Sequence, residues 1–372
     1  MLIGVPKEIK NHEYRVGMTP EAAHQAASSG HRVIVQSGAG AGIGASDNDY
    51  KARGAAVAKT AAEVFSRADM IVKVKEPLAP ERKMLRRGQI LFTYLHLAAD
   101  KTLTRELMAS GAACVAYETV TDDAGRLPLL APMSKVAGRL AAQAVAHYLQ
   151  KFAGGAGMLI GGVPGVLAAK VLVLGGGVVG RNAARIALGM GARVTVLEKS
   201  AEVMDSITAE FDGKVATAYA SRANLESLVA DADGVIGGIL VAGKAAPKIV
   251  SEEMIKTMRP GRVVVDVAID QGGCIATAKA TTHDKPVFVK HGVVHYCVAN
   301  MPGAVPRTST YALNNVTLPF VLDIAGKGWR RATSENRHLQ NGLSVADGKL
   351  TCAHSAASLG IRHTPAETFA DA

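Results

Sequence analysis

The chain has 372 residues, of which 48% are hydrophobic and 20% are charged, which excludes an intrinsically disordered protein and favours two domains over one. Its formal net charge of +10 raises the question of nucleic-acid binding. Lysines and arginines are scattered, however, and the densest groups, at 81–87 and 329–331, lack the interleaved aromatic residues that stack on bases. We therefore expect no nucleic-acid partner, and anionic small ligands explain the basic charge equally well.

Two further features bear on the compartment of the protein. The N-terminal segment MLIGVPKEIK lacks the apolar core of a signal peptide, and the uncharged stretch Phe152–Ala169 contains six glycines and Pro164, which suit an irregular connection better than a membrane span. The four cysteines form no CxxC pair and no metal-ligand spacing. We expect a soluble cytoplasmic protein with free thiols, no membrane partner and no metal site.

The first 130 residues alternate between strand and helix patterns. Leu2–Val5 is predicted as a strand, Thr19-Pro20-Glu21 as a helix start, and Arg32–Gln36 as the next strand. A helix is predicted at Asp100–Ser110, and further strands are predicted at Met70–Val74, Ile90–Leu95 and Ala113–Tyr117. This alternation is typical of a doubly wound, mostly parallel sheet.

The rest of the chain repeats the alternation between two long helical patterns. The first covers Pro132–Phe152, and the second follows Pro306. Between them, strands are predicted at Val171–Leu174, Val215–Ala218, Gly234–Leu240, Arg262–Ile269 and Val293–Val298. An Asp-Gly turn within residues 342–352 predicts a closing hairpin.

The stretch from Val171 to Glu198, VLVLGGGVVGRNAARIALGMGARVTVLE, has the order of a β-α-β dinucleotide fingerprint. Gly175, Gly177 and Gly180 are in GxGxxG register, which serves a tight turn, the approach of a pyrophosphate and close helix packing. Glu198 follows Gly180 by 18 residues, near the spacing of a carboxylate that binds ribose hydroxyls. A glycine-rich turn in an ordinary βαβ unit is the alternative, but the intact context predicts NAD as the cofactor.

These patterns together predict an α/β protein with two doubly wound domains. The second is a Rossmann NAD-binding domain at 131–306, inserted into a discontinuous substrate and catalytic domain formed by 1–130 and 307–372. Two domains of this kind place polar residues at the carboxyl ends of their strands, where ligands bind in open α/β sheets.

Five polar residues follow predicted strands: Arg15, Lys75, His96, Asp270 and Asn300. An arginine and a lysine suit a carboxylate ligand, and a histidine suits proton transfer near neutral pH. Each also has an ordinary structural interpretation. Arg15 can pair with Glu13, Lys75 can be a surface charge, and Asp270 can cap a turn. The set suits oxidation of a small amino acid or hydroxy acid.

Seven segments of the chain together resemble the L-alanine dehydrogenase family. They are GVPKEIKNHEYRVGMTP, KVKEPL, LFTYLHLA, PMSKVAGRLA, LGGGVVGRNAARIALGMGA, VDVAIDQGGC and HYCVANMPGAVPRTST. The resemblance runs in order from residue 1 to beyond residue 325. It implies reversible oxidation of L-alanine, with water and NAD, to pyruvate, ammonium and NADH. It also implies a homo-oligomer, a hexamer in this family.

The resemblance carries roles for individual residues. It implies that Arg15 and Lys75 bind substrate and that His96 and Asp270 are catalytic. With the fingerprint, it implies cofactor contacts at Ser134, Gly175, Gly177, Val178, Val179, Gly180, Glu198, Ile239, Leu240, Val267, Ala268, Ile269, Asp270, Val298, Ala299, Asn300 and Met301.

The chain departs from the family pattern where the adenosine of NAD is expected. Glu198 replaces the usual aspartate, Val203 replaces a basic residue, and Ala220 replaces a serine. Because a carboxylate repels a 2′-phosphate, Glu198 still favours NAD over NADP. Alternative interpretations are the soluble NAD-binding subunit of proton-translocating transhydrogenase, a saccharopine- or lysine-forming dehydrogenase, and a non-catalytic nucleotide sensor. The presence of Arg15, Lys75, His96 and Asp270 favours the alanine dehydrogenase.

Overall fold

The computed structural model describes residues 1–239 and 246–369, so the expected cofactor contact Leu240 lies outside the described residues. The chain divides into two compact units. One contains Met1–Met133 and the chain from Gly303 onward, and the other contains Ser134–Pro302. Each unit is built on a mostly parallel sheet with helices, which confirms the predicted α/β class.

The first unit opens with alternating strands and helices. The strands are β1 (Leu2–Val5), β2 (Arg32–Gln36), β3 (Ala56–Ala58), β4 (Met70–Val72), β5 (Ile90–Thr93) and β6 (Ala113–Ala116). The helices are α1 (Pro20–Ser28), α2 (Asp47–Ala52), α3 (Ala61–Arg67), α4 (Ala79–Arg82) and α5 (Lys101–Ser110). Helix α1 begins as predicted, because the Thr19 hydroxyl accepts the Ala22 N–H at 3.1 Å.

Helix α6 (Ala131–Tyr148) precedes the strands of the second unit. These are β7 (Lys170–Leu174), β8 (Arg193–Glu198), β9 (Ala216–Tyr219), β10 (Gly234–Gly237), β11 (Val263–Asp266), β12 (Val287–Lys290) and β13 (Val293–Tyr296). The helices between them are α7 (Val178–Gly189), α8 (Ala201–Glu210), α9 (Arg222–Asp231) and α10 (Glu252–Thr257).

The chain then completes the first unit. Its remaining elements are α11 (Pro306–Lys327), α12 (Trp329–Glu335), α13 (Arg337–Gln340), β14 (Leu343–Ala346), β15 (Lys349–Leu350) and α14 (Ala353–Leu359). Asp347 and Gly348 both have positive φ, as the predicted two-residue hairpin turn requires. Within the described ranges, no helix combines the length and apolar character needed to cross a bilayer.

In both sheets, the chain adds strands first on one side of the opening strand and then on its other side. The first has the order β15-β14-β6-β5-β4-β1-β2-β3, with β14 and β15 antiparallel to their neighbours. The second has the order β12-β13-β11-β10-β7-β8-β9, with β12 antiparallel to β13. The strand order therefore reverses between β1 and β4 in the first sheet and between β7 and β10 in the second. Ligands bind outside the carboxyl ends of strands at such points, so the turns there are the candidate sites.

The second sheet is covered on both faces, as a doubly wound fold requires. Val171 and Val173 of β7 lie in one apolar cluster with Ala183 of α7. Leu172 lies in the other cluster with Val229 of α9. Successive residues of β7 therefore bury their side chains on opposite faces, which explains why the strand is apolar throughout.

Several strands end earlier than predicted: β4 at Val72, β5 at Thr93, β6 at Ala116, β10 at Gly237, β11 at Asp266 and β13 at Tyr296. Beyond three of these ends, a backbone N–H group donates its hydrogen bond to a carboxylate rather than to a neighbouring strand. The pairs are Val74 to Glu8, Leu95 to Glu118 and Ala268 to Asp266.

The helix that was predicted to extend to Phe152 ends at Tyr148. There the chain folds back against the helix end at Gly155, where a Cβ would lie 2.1 Å from the Tyr148 carbonyl oxygen. Strands β3 and β12 lie at sheet edges and were not predicted.

A substitution at Gly180 tests whether the close packing of α7 stabilises the second unit. A Cβ at Gly180 would lie 1.8 Å from the Gly175 carbonyl oxygen. We expect Gly180→Ala to cost about 1–3 kcal/mol by overpacking, lowering the melting temperature by about 2–4 °C per kcal/mol. Gly189→Ala in the same helix is the control, because among the described residues no atom lies within 4 Å of its Cβ position. Equal melting temperatures for the two variants would contradict this account.

Candidate active site

Arg15 lies in the segment after β1 and is buried, with 2% of its surface exposed. Glu13 holds its guanidinium by two parallel hydrogen bonds, from Nε at 2.7 Å and from Nη2 at 2.5 Å. Nη1 lies 3.0 Å from Sδ of Met133. Burial lowers the pKa of Arg15, but the bonds and charge of Glu13 outweigh it and raise that pKa overall. The result is a charged, oriented guanidinium, which suits a carboxylate ligand.

Lys75 follows β4, and its backbone is fixed by a buried network of ions. Glu8 Oε1 accepts the N–H of Val74 at 2.7 Å and that of Lys75 at 3.3 Å. The Nζ of Lys73 donates to Glu8 at 2.9 Å and to Glu81 at 2.6 Å. These three charged side chains are all buried. Because each has a partner, the network holds the turn that presents Lys75.

His96 follows β5 in a left-handed backbone conformation, with φ of 51°. Glu118 accepts the N–H of His96 at 2.6 Å and the N–H of Leu95 at 3.2 Å. Its Oε1 also lies 3.9 Å from His96 Nδ1, and 40% of the His96 side chain is exposed. The imidazole stacks on Tyr94, with centroids 5.9 Å apart. A partly exposed ring on a fixed turn can exchange protons with a bound ligand.

Lys75 and His96 share one electrostatic neighbourhood in the first unit, around Glu76. Burial raises the pKa of Glu76, but Lys75, Lys10 and His96 lower it below its usual range. Glu76 is paired with Lys10, while its Oε2 is buried with no hydrogen-bond partner among the described residues. The carboxyl ends of β1, β4 and β5 therefore gather two cations, a histidine and a carboxylate with unused acceptor capacity.

In the second unit, the turn between β7 and α7 has the geometry that its glycines predict. Gly175 has φ of 93°, which L side chains rarely adopt. Within the described part of the chain, no heavy atom lies within 4 Å of the position that a Cβ on Gly177 would occupy. Open space therefore faces the N-terminus of α7, where N–H groups suit a phosphate.

Glu198 closes the same turn from the end of β8. Its Oε2 accepts the Gly176 N–H at 2.7 Å, and its Oε1 accepts the N–H groups of Lys199 at 2.7 Å and Ser200 at 3.2 Å. Burial raises the pKa of Glu198, but these donors and Arg181 lower it below its ordinary value. The charged Oε2 keeps a lone pair that can accept a hydrogen bond from a ribose hydroxyl.

A cavity of about 800 Å³ opens beside this turn. Four of the expected cofactor contacts line it: Gly175, Gly177, Glu198 and Ile239. Its size lies within the range of sites for cofactors and other small molecules. The glycine turn, the carboxylate and the cavity together fit the adenosine and phosphate part of a dinucleotide.

Among the described residues, the other expected cofactor contacts lie outside the lining of this cavity. Val267, Ala268, Ile269 and Asp270 form a 3-10 turn after β11, whereas Asp270 was expected directly after a strand. The strand ends three residues earlier than predicted because the Asp266 carboxylate accepts the Ala268 N–H. Val298, Ala299, Asn300 and Met301 follow β13, Ser134 lies on α6, and Val178, Val179 and Gly180 lie on α7. The turns after β11 and β13 share the carboxyl edge of the sheet with Gly175.

Sequence reasoning missed the carboxylates that hold these turns, namely Glu8, Glu118 and Asp266. Asp266 lies within the otherwise apolar run predicted as a strand, and Glu118 follows β6 by two residues. An acidic residue in such a position is rarely buried without a partner. That signal could have identified Asp266 and Glu118, whereas nothing local distinguishes Glu8.

Comparison with known proteins agrees with this geometry. Residues 4–137 match the family model "Alanine dehydrogenase/PNT, N-terminal domain", and residues 141–353 match "Alanine dehydrogenase/PNT, C-terminal domain". The chain belongs to the alanine dehydrogenase/PNT family. The chain is 55% identical to the alanine dehydrogenase of Halomonas elongata over 369 residues, which cover 99% of this chain and 100% of that protein.

Two solved structures share the fold of the whole chain. A structure named L-alanine dehydrogenase has a TM-score of 0.93 and 46% identity, covering 97% of this chain and 99% of that one. A transhydrogenase from Sinorhizobium meliloti has a TM-score of 0.80 and 25% identity, covering 94% and 98%. Of these two, the alanine dehydrogenase is the more similar in both sequence and structure.

The departures from the family pattern lie at or beside the cavity. Ala220 lines it together with Glu198. Val203 packs against the glycine turn, since its Cγ1 would lie 2.7 Å from a Cβ on Gly176. Neither residue adds a charged group to the wall, where Glu198 is the one carboxylate among the described lining residues and Lys199 and Arg222 are cations. We expect the Glu198 carboxylate to set the preference for NAD.

We expect Glu198→Ala to raise the Kd for NADH about 10- to 100-fold, since a hydrogen bond to a charged group contributes about 1.5–3 kcal/mol. The Kd for NADPH should rise less, because the variant no longer repels the 2′-phosphate. Titration by NADH fluorescence measures both constants. Glu202→Ala, at an exposed acid in the first turn of α8, is the matched control. An unchanged NADH-to-NADPH preference would contradict this role.

Proposed function

We propose that this protein catalyses the reversible, NAD-dependent oxidative deamination of L-alanine. Alanine, water and NAD give pyruvate, ammonium, NADH and a proton. The observation that carries the proposal is the similarity to an alanine dehydrogenase across the full length of both chains. The arrangement of Arg15, Lys75 and His96 supports it, because these groups suit a small carboxylate substrate that exchanges protons.

Each unit has its own part in this proposal. We assign substrate binding and catalysis to residues 1–130 with 307–372, and NAD binding to 131–306. Gly175, Gly177 and Glu198 would hold the phosphates and the adenosine ribose, and the segments 267–270 and 298–301 would contact the rest of the cofactor. When bound, NAD supplies the acceptor for the hydride that leaves the alanine Cα.

The chain's own residues then carry the remaining chemistry. Arg15 and Lys75 hold the substrate carboxylate and fix the orientation of its Cα. Loss of hydride from the neutral amine leaves an iminium ion, and water adds to its carbon. His96 takes a proton from that water and returns one to the departing amine, while Asp270 orients the amine or the water. Ammonium leaves as the carbonyl of pyruvate forms.

Hydride transfer between two nucleotides is the second candidate, because the transhydrogenase shares the fold. It requires no residue that binds an amino-acid carboxylate. The buried Arg15 and the fixed His96 turn favour the amino-acid reaction, as does the higher identity to the alanine dehydrogenase structure. A nucleotide sensor would not need these groups either.

The decisive assay follows NADH absorbance with purified protein, NAD and L-alanine, comparing wild type with His96→Ala. We expect alanine-dependent NADH formation in wild type and a loss of about 10²–10⁴-fold in the variant, the usual contribution of a general acid–base. The NADH Kd should change by less than about threefold, since His96 is placed on substrate. His24→Ala, an exposed histidine on α1, is the control.

Either of two results would overturn the proposal. One is wild-type protein that forms no NADH from alanine but transfers hydride to NADP with a membrane partner. The other is a His96→Ala variant with full activity. Loss of NADH affinity in that variant would show that His96 is misplaced in the mechanism.

We also propose that the protein is a homo-oligomer, a hexamer. Five apolar side chains lie exposed within one segment: Phe152, Leu159, Val163, Val166 and Leu167. A bridge between Val163 and Val166 closes its tip, and Ile160 anchors it in the core. Residues 152–169 carry no charge, so a second copy can meet this surface without like-charge repulsion despite the net charge of each chain.

Leu167→Glu tests this surface. Leu167 is 78% exposed, so the substitution should leave the fold intact while placing two charges in the contact. We expect sedimentation to show a smaller particle than wild type. Val289→Glu, at a residue 62% exposed elsewhere in the second unit, should not change the mass. Identical masses for wild type and Leu167→Glu would contradict the assignment.

We place this reaction in the cytoplasm and in amino-acid catabolism. All four cysteines are free thiols, and three of them are buried, which suits a reducing compartment. Oxidation of alanine to pyruvate and ammonium is a catabolic reaction when it runs in that direction.

A further inference from the structure

The turn that carries Asp270 is held at its base by Asp266. This residue is fully buried, and its Oδ1 accepts the Ala268 N–H at 3.1 Å while its Oδ2 accepts the Ile275 N–H at 3.0 Å. Both ends of the loop are therefore bonded to one carboxylate. Gly273 allows this closure, because a Cβ there would lie 2.6 Å from Asp266 Oδ2.

Lys248 holds the same loop from the other side. Its Nζ donates to the carbonyl oxygen of Gly272 at 2.5 Å and to that of Ile275 at 3.1 Å. The backbone beside Lys248 joins the loop as well, since the N–H groups of Ile249 and Val250 point to the Cys274 carbonyl oxygen at 3.0 and 3.2 Å. An ammonium group has several donors, so one lysine can hold two carbonyls.

Lys248 also lies in the chain between two residues that line the dinucleotide cavity. Its two neighbours, Pro247 and Ile249, line that cavity together with Gly175 and Glu198. The main chain of Lys248 thus lies between two cavity-lining residues, and its side chain donates hydrogen bonds to the loop that carries Asp270. A nucleotide that packs against this wall restricts the backbone from which the Lys248 side chain extends.

We propose that Lys248 is a positioning residue that ties the Asp270 turn to the wall of the dinucleotide cavity. Occupation of the cavity then orders the turn, and Asp270 is placed for catalysis after the nucleotide has bound. The coupling itself is a property of the second unit. Its catalytic consequence rests on the proposed function, in which Asp270 takes part.

The side chain of Lys248 can be changed without disturbing the core, because this residue is exposed. Lys248→Met removes the ammonium group and keeps a similar stem, while Lys248→Arg keeps donors for the two carbonyls. Lys256→Met, which removes an exposed lysine of α10, is the control. ADP is the probe, since it can fill the adenosine and phosphate part of the cavity but has no nicotinamide to contact the turn directly.

Hydrogen exchange of peptides covering residues 267–276 is measured with and without saturating ADP. We expect ADP to slow exchange in wild type, Lys248→Arg and Lys256→Met, and to have no effect in Lys248→Met. ADP should bind all four proteins with Kd values within about threefold. For alanine oxidation, kcat should fall about 10- to 100-fold in Lys248→Met, as for a misplaced catalytic group, with the KM for NAD nearly unchanged and kcat largely restored in Lys248→Arg.

Two results would overturn the proposal. One is that ADP does not slow the hydrogen exchange of residues 267–276 in wild type, or slows it as much in Lys248→Met as in wild type. The other is a Lys248→Met variant whose melting temperature and ADP affinity fall together, which would indicate a purely structural role. Failure of the proposed function is distinguishable, because wild type would then lack alanine-dependent NADH formation while the exchange results with ADP still report on the coupling.

Discussion

Carboxylates that accept backbone N–H groups fix the turns on which the candidate active site is built. In the first unit, Glu8 and Glu118 hold the turns of Lys75 and His96. In the second, Glu198 and Asp266 hold the glycine turn and the turn of Asp270. A hydrogen bond to a charged group contributes about 1.5–3 kcal/mol. Losing one such acceptor would also leave its N–H groups without partners.

This arrangement answers a difficulty common to all parallel sheets. Where a strand ends, its N–H groups lose the partners that the neighbouring strand supplied, yet the turns there must present side chains in fixed positions. A carboxylate can accept several N–H groups at once, and each such hydrogen bond favours its charged form. His96 shows the benefit, because its left-handed backbone is a strained conformation for a non-glycine residue, and two bonds to Glu118 hold the turn.

The sequence predicts well those features that depend on neighbouring residues. The bounds of β1 and β2, the capped start of α1 and the glycine turn of Gly175 all follow from short patterns. The ends of β4 and β5 do not, because their acceptors lie far along the chain: Glu8 is 66 residues from Val74, and Glu118 is 22 residues from His96. Their positions after predicted strands identified Arg15, Lys75 and His96 as candidate site residues, and the family resemblance gave them roles. The carboxylates that hold their turns required the structure.

Site-resolved hydrogen exchange of the unliganded protein tests this central constraint most directly. The informative amides are those of Val74, His96 and Gly176, which lie beyond the strand ends but donate to carboxylates. If the carboxylates fix the turns, these amides exchange as slowly as amides within the adjoining strands. Exchange at the rate of exposed turn amides would contradict the account.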